Sequence, residues 1–184
     1  PVHYDSWQEA RYPCVLKAAK GDHGKNIWII KTPEEVDWFT SKEHGSEWLL
    51  QELIEGCFEC STTLLVVEGE IIDYICTEYE YNQWTYIWPN KVYELGKKFP
   101  ERIPADHLAV MSAFLKGFSG ICNFNYKFRG GRLVIFEVNP RVGGDLVFDV
   151  PKDRARMLFE KLDTLSAREQ VGGSVEHQDA THGS

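Results

Sequence analysis

Two short apolar runs, Cys14-Val15-Leu16-Lys17-Ala18 and Asn26 to Lys31, flank the polar, Gly-containing segment Lys20 to Lys25 and predict a hairpin. Thr32-Pro33-Glu34-Glu35 then supplies an N-cap residue, a first-turn proline and two acids suited to a helix N-terminus. With Val36, Trp38 and Phe39 behind it, a short helix to about Ser41 follows. Trp48 to Ile54 reads as a strand. Glu59 to Val67 and Ile71 to Tyr81 are β-branched and aromatic runs joined through Glu68-Gly69-Glu70, a hairpin signature. Behind Pro104, the residues Leu108, Met111, Leu115 and Phe118 recur at helical spacing and predict a helix from about Ala105 to Gly117. Gly120 to Phe128 and Leu133 to Val138 form another hairpin around Arg129-Gly130-Gly131-Arg132. A last helix, about Lys152 to Ala167, is expected to turn Met157, Leu158, Leu162 and Leu165 inward. Antiparallel hairpins mixed with helices, without regular βαβ alternation, place the chain in the α+β class.

With 184 residues, 43% of them hydrophobic and 13% aromatic, the chain has enough apolar material for one domain or two closely packed lobes. Residues 169–184 are the exception: with almost no apolar content they are expected to form a disordered tail, which makes His177 and His182 poor candidates for chemistry. Apolar runs such as Leu64 to Val67 fall far short of the ~20 residues a membrane helix requires, and the N-terminus lacks a basic-then-apolar signal pattern. The expected location is therefore the cytoplasm. A formal charge of −8 disfavours broad attachment to nucleic acid or anionic lipid, so an anionic ligand needs a local cationic pocket. Of the five cysteines, Cys57 and Cys60 form one C-x-x-C without a second pair or spaced histidines, and structural thiols are expected over a zinc or redox site.

The densest polar constellation is Glu137-Val138-Asn139-Pro140-Arg141-Val142-Gly143-Gly144, at the end of an apolar strand. Alternation sends Glu137 and Asn139 to one side, where two oxygen ligands suit a hard cation such as Mg²⁺; Asn123 and Asn125 share a face of the partner strand. Together with Arg141 these residues suggest magnesium phosphate. An ion pair of Glu137 with Arg141, with asparagines capping turns, accounts for them equally well. Lys17 closes its strand just before a glycine-bearing loop whose amides can cradle an anion, although a strand-terminal lysine also simply snorkels to water. The extended segment Gln51-Glu52-Leu53-Ile54 offers backbone groups to an adenine edge, and Glu59 a carboxylate to ribose hydroxyls. Tyr79, Tyr81, Trp84, Tyr86, Trp88 and Tyr93 line either an acceptor pocket or, more commonly for aromatics on a sheet, the core.

Taken in order, these segments resemble the ATP-grasp superfamily, the nucleotide-binding fold of carboxylate–amine and carboxylate–thiol ligases, over about residues 12–149. The most specific element is Glu137-Val138-Asn139-Pro140-Arg141 with Gly143-Gly144, which looks like the Glu-x-Asn-Pro-Arg signature of the carbamoyl-phosphate-synthetase-like and amino-acid-ligase branches. The resemblance implies two α+β lobes, a small one over 1–52 and a large one over 53–168, with antiparallel sheets holding ATP and Mg²⁺ between them. Lys17 would contact the α- and β-phosphates, and the loop with Gly21, His23, Gly24 and Lys25 would fold over the triphosphate. Glu52 and Leu53 would bracket adenine and Glu59 would hold the ribose. Asn125, Glu137 and Asn139 match magnesium-ligand positions, and Arg141 the residue that steadies the transferred phosphoryl group.

The implied activity is ligation of a small-molecule carboxylate to an amine through an acyl phosphate, with neither nucleic acid nor membrane as partner. The competing reading is a nucleotide-binding or protein-interaction module of the same fold without turnover. Asn125 stands where the family more often has Asp, Glu or Gln. Family members normally carry an N-terminal α/β domain ahead of the Lys17 strand, which here begins about a dozen residues into the chain. A truncated or minimal form is therefore expected, its missing surface supplied by a second copy or a partner chain. A protein kinase also places Val-x-Lys on a strand, but the sequence contains no His-Arg-Asp or Asp-Phe-Gly element.

Overall fold

A computed structural model describes residues 1–19, 26–41, 47–87 and 92–173, the last six by backbone alone. The loop carrying Gly21, His23, Gly24 and Lys25, together with Trp88 and residues 174–184, lies outside the described residues. In chain order the elements are β1 (His3–Tyr4), β2 (Cys14–Ala18), β3 (Ile27–Ile30), α1 (Pro33–Thr40), β4 (Trp48–Glu52), β5 (Phe58–Val67), β6 (Glu70–Tyr81), β7 (Glu94–Lys98), α2 (Ala105–Ser112), β8 (Gly120–Arg129), β9 (Arg132–Asn139), α3 (Gly144–Phe148) and α4 (Lys152–Gly173). One sheet has the order β1-β4-β2-β3 and the other β7-β6-β5-β8-β9. The α+β class is thus realised.

Two of the expected hairpin turns, both within the described residues, form where the sequence places them, for a backbone reason. Glu68 and Gly69 have φ of 49° and 87°, and Gly130 and Gly131 have 56° and 75°. Paired positive φ values are the turn geometry whose twist matches the flanking strands. At Gly69 glycine is also required by packing, since a Cβ would stand 3.0 Å from the carbonyl oxygen of Leu115.

The chain packs as two units, each assembled from three stretches: 1–60, 78–98 and 125–137 in the first, 61–77, 99–124 and 138–184 in the second. The boundary expected at residues 52/53 followed the sequence, whereas the long strands contribute part of their length to each unit. In the first unit, Cys14, Leu16, Ile30, Val36 and Leu50 form one core, with Trp28, Phe39 and Trp48 against it, and Tyr79, Tyr81 and Tyr86 form another. Trp84 and Tyr93 are exposed, so the aromatic segment divides between core and surface. In the second, Leu65, Ile75, Leu146, Val150 and Leu158 pack together, with Leu162 and Leu165 alongside.

Three differences from expectation have local causes. The helix after Pro104 stops at Ser112, because Phe114 and Leu115 donate to the carbonyls of Met111 and Ser112, three residues back, tightening the chain into turns before Gly117 at φ 72°. Met157 is 49% exposed: the inward stripe of α4 runs Leu158, Leu162, Leu165, and its neighbour in sequence lies about 100° away around the helix. Finally, α4 continues to Gly173, so residues 169–173 are helical, contrary to the tail expected from residue 169.

Leu65 is 1% exposed within the second core, so Leu65→Ala should lower unfolding free energy by about 2–5 kcal/mol in urea titrations, while Leu65→Ile should cost under about 1.5 kcal/mol. Equal, small losses for both would show that this cluster does not carry the unit's stability.

Candidate functional site

Lys17 sits on β2, which is hydrogen-bonded on both sides: it faces Ile27 across β3 and Leu49 across β4. Because Val15 pairs with Gln51, the Gln51 side chain is the diagonal neighbour of Lys17 on the same face, within reach of a long side chain. Lys17 Nζ donates to Gln51 Oε1 at 3.1 Å and to the Phe136 carbonyl at 3.2 Å. Gln51 Nε2 lies 3.1 Å from His3 Nε2. Burial lowers the Lys17 ammonium below its ordinary range, and Glu137 opposes that shift. The residue is therefore a held, partly desolvated cation beside a carboxylate.

The carboxylate is itself placed by strand alternation. Glu137 on β9 accepts a hydrogen bond from Asn125 Nδ2 on the adjacent β8 at 3.1 Å. Turning the Asn125 amide would present Oδ1 beside Glu137, so the pair can offer two oxygen atoms to one cation. Asn139 ends the same strand, and Arg141 follows in a tight turn, its backbone N–H bonded to the Asn139 carbonyl at 2.8 Å. Arg141 is exposed and donates from Nη1 to the Val142 carbonyl at 3.1 Å. Lys17, Glu52, Leu53, Glu59, Asn125 and Glu137 belong to the first unit; Asn139 and Arg141 belong to the second.

Glu52 is engaged rather than free. It pairs with Arg129 and accepts the Val2 N–H at 3.0 Å. Burial alone would raise its carboxyl, but these partners hold it below the ordinary range. Its backbone N–H also donates to the Val2 carbonyl at 2.8 Å, so the strand that reaches Leu53 is pinned from one side.

A second cation, Lys127, emerges only from the structure. It is 5% exposed and donates to the carbonyls of Ile54 at 3.4 Å and Gly56 at 3.0 Å, with its ammonium 3.9 Å from the centre of the Tyr86 ring. Tyr86 in turn donates its hydroxyl to Glu59 Oε2 at 2.7 Å. Burial pushes the Glu59 carboxyl up, against the Tyr86 bond and the Lys127 charge, and burial also keeps the Tyr86 hydroxyl protonated. Burial lowers the Lys127 ammonium, opposed by Glu59. The segment linking β4 to β5 is thus fixed by a buried lysine whose signal was present in alternation: Asn123, Asn125 and Lys127 share one face of β8 while Cys122, Phe124 and Tyr126 fill the other.

None of the five cysteines is paired in a disulfide, Cys57 and Cys60 included, and burial pushes the Cys14 thiol up to about 11. Among the described residues, no group of three or more His, Cys, Asp and Glu side chains gathers to hold a metal. Within the first unit, Glu137 and Asn125 bring a carboxylate and an amide together across β8 and β9.

Comparison with known proteins bears on the fold. No family model matches the sequence, and no curated protein does. Among solved structures, a D-alanine–D-alanine ligase from Bacillus anthracis superimposes with a TM-score of 0.60 at 18% identity, over 88% of this chain and 57% of that one. The chain has the ATP-grasp fold. An L-amino acid ligase from Bacillus licheniformis matches at TM-score 0.52 and 14% identity, over 79% of this chain and 36% of that one. The VanG D-Ala:D-Ser ligase from Enterococcus faecalis matches at 0.51 and 22%, over 72% and 41%. The chain thus spans little more than half, or less, of the length of these ligases, and at such identities the likeness is one of ATP-grasp fold.

The raised Glu59 carboxyl generates a pH test. A carboxyl whose pKa is higher in the folded chain binds more protons there than in the unfolded chain, so its contribution to stability is full below the unfolded value, about 4.5, and is lost as pH rises through the folded value. Glu59→Gln removes this dependence. Urea titrations should show the variant gaining on the parent as pH rises above about 4.5; a constant difference across that range would contradict the buried-carboxyl assignment.

Proposed function

We propose that the chain is an ATP- and Mg²⁺-dependent ligase that joins a small-molecule carboxylate to an amine through an acyl phosphate. The observation that carries this reading is the Lys17–Gln51–Phe136 arrangement beside the Asn125–Glu137 pair, a fixed cation next to a two-oxygen cation site on an ATP-grasp fold. The named ligases of that fold support the reaction class.

In this reading Lys17 meets the α- and β-phosphates. Its donors are oriented by Gln51 and the Phe136 carbonyl, so little rotamer freedom is lost on binding. Glu137, Asn125 and Asn139 would hold Mg²⁺, which would supply charge neutralisation to the phosphates. Arg141, exposed and anchored through one nitrogen, turns its remaining N–H groups to the transferred phosphoryl group. Leu53 offers its backbone to adenine between the pinned Glu52 and the Ile54 carbonyl taken by Lys127, while Glu59 uses the oxygen opposite Tyr86 for ribose hydroxyls. Positioning and charge neutralisation are what phosphoryl transfer chiefly requires.

A reducing cytoplasm suits five cysteines outside any disulfide, and among the described residues no helix is long and apolar enough to cross a membrane.

Calorimetry with a non-hydrolysable ATP analogue tests the site. Glu137→Gln should weaken affinity by about tenfold or more with Mg²⁺, equivalent to ~1.4 kcal/mol, and leave it unchanged without the metal. An equal effect in both conditions would remove Glu137 from the metal. Release of ADP only when both an acid and an amine are supplied would establish ligation; nucleotide binding with no turnover across an acid and amine screen would favour the non-catalytic module.

A further inference from the structure

The second unit buries a polar cluster that the nucleotide reading does not use. Asp145 is 5% exposed; its Oδ2 accepts from Thr77 Oγ1 at 3.0 Å, whereas its buried Oδ1 has no hydrogen-bond partner. Alongside, Asn123, 2% exposed, donates from Nδ2 to Ser61 Oγ at 2.9 Å and to Thr63 Oγ1 at 3.2 Å. The backbone of Gly143 closes on both side chains: a Cβ there would fall 2.3 Å from Asp145 Oδ1 and 2.4 Å from Asn123 Nδ2.

Gly143 has φ −70° and ψ 151°, extended backbone that any residue adopts. Its glycine is therefore required by close approach and not by conformation. A carboxylate placed here costs desolvation that an apolar side chain of similar size would avoid, so its presence is not explained by stability. Its geometry offers another explanation. Two residues before Gly143 stands Arg141, and Asn139 lies two residues before that, with the Arg141 N–H already tied to the Asn139 carbonyl.

We propose that Asp145 is a positioning residue. Gripped by Thr77 and set against Asn123, it seats Gly143 and so fixes the course of the Asn139–Arg141 turn, from which the metal-site amide and the guanidinium project. The inference rests on the reading that these two residues meet Mg²⁺ and phosphate. Burial raises the Asp145 carboxyl above the ordinary carboxylate range, with Ser61 and Thr77 opposing the shift. An asparagine has the same shape and keeps an oxygen to accept from Thr77, so it should replace it with little loss, whereas alanine removes both the Thr77 bond and the surface on which Gly143 rests.

The test compares Asp145→Asn, Asp145→Ala and Thr77→Val in the full chain. The first measurement, without nucleotide, is hydrogen exchange of backbone amides in 139–144, with the first-unit strands β2 and β4 as internal reference. Asp145→Ala should accelerate exchange in 139–144 by about tenfold or more and leave β2 and β4 unchanged. Thr77→Val, which deletes one bond and serves if the alanine variant does not fold, should act in the same direction, and Asp145→Asn should stay near the parent. In the second measurement, affinity for Mg²⁺ and the ATP analogue should fall in the same order. Unchanged exchange in both Asp145→Ala and Thr77→Val, acceleration spread equally over both units, or an asparagine variant as labile as alanine would each overturn the proposal. A parent chain that binds no nucleotide would overturn the ligase reading alone, because the exchange result decides the positioning role by itself.

Discussion

A lysine ammonium drawn out of water must be met by oxygen atoms, and in this chain that requirement organises the first unit. Lys17 satisfies it with the Gln51 side chain and the Phe136 carbonyl. The first partner depends on the β2–β4 register, since a slip of one residue would send Gln51 to the other face. The second ties β2 to the residue just before Glu137. Desolvation works against the charge and lowers the ammonium below its ordinary range, while Glu137 works for it. The nucleotide site proposed on this pair would be prepared before any ligand arrives.

The same economy governs the linker after β4. Its carbonyls at Ile54 and Gly56 need donors in a partly buried linker, and Lys127 supplies them while Tyr86 and Glu59 accommodate its charge. In the second unit Asp145 plays a comparable part without a cation: one oxygen is met by Thr77, the other is left bare against Gly143. Buried ionisable groups in both units thus sit beside the segments that the proposed chemistry uses, and their cost to stability is consistent with a demand for fixed geometry.

Much of this was legible in the residues themselves. Positive-φ turns at Glu68-Gly69 and Gly130-Gly131 follow from the sequence because only a few residue types tolerate that backbone, and alternation alone placed Glu137 and Asn139 on one side of a strand. What escaped depends on partners distant in the chain. The two residues of β1 are strand only because β4 accepts them, and β7, with its two lysines and glycine, is strand only because β6 lies beside it. The five-residue α3 is too short to show a period. Lys127 and Asp145 look like ordinary surface charges until the fold surrounds them, and Met157 looks apolar enough for a core that the stripe of α4 passes by.

The central claim is that a divalent cation binds between β8 and β9 beside Lys17. Manganese provides the most direct probe, as a paramagnetic substitute for magnesium in an amide-resolved NMR titration with ATP. The account predicts that the side-chain amide of Asn125 and the backbone amides of Asn125 and Glu137 broaden first, well before those of Ile30 or Leu158. Broadening that begins elsewhere, or that affects all these signals together, would contradict it.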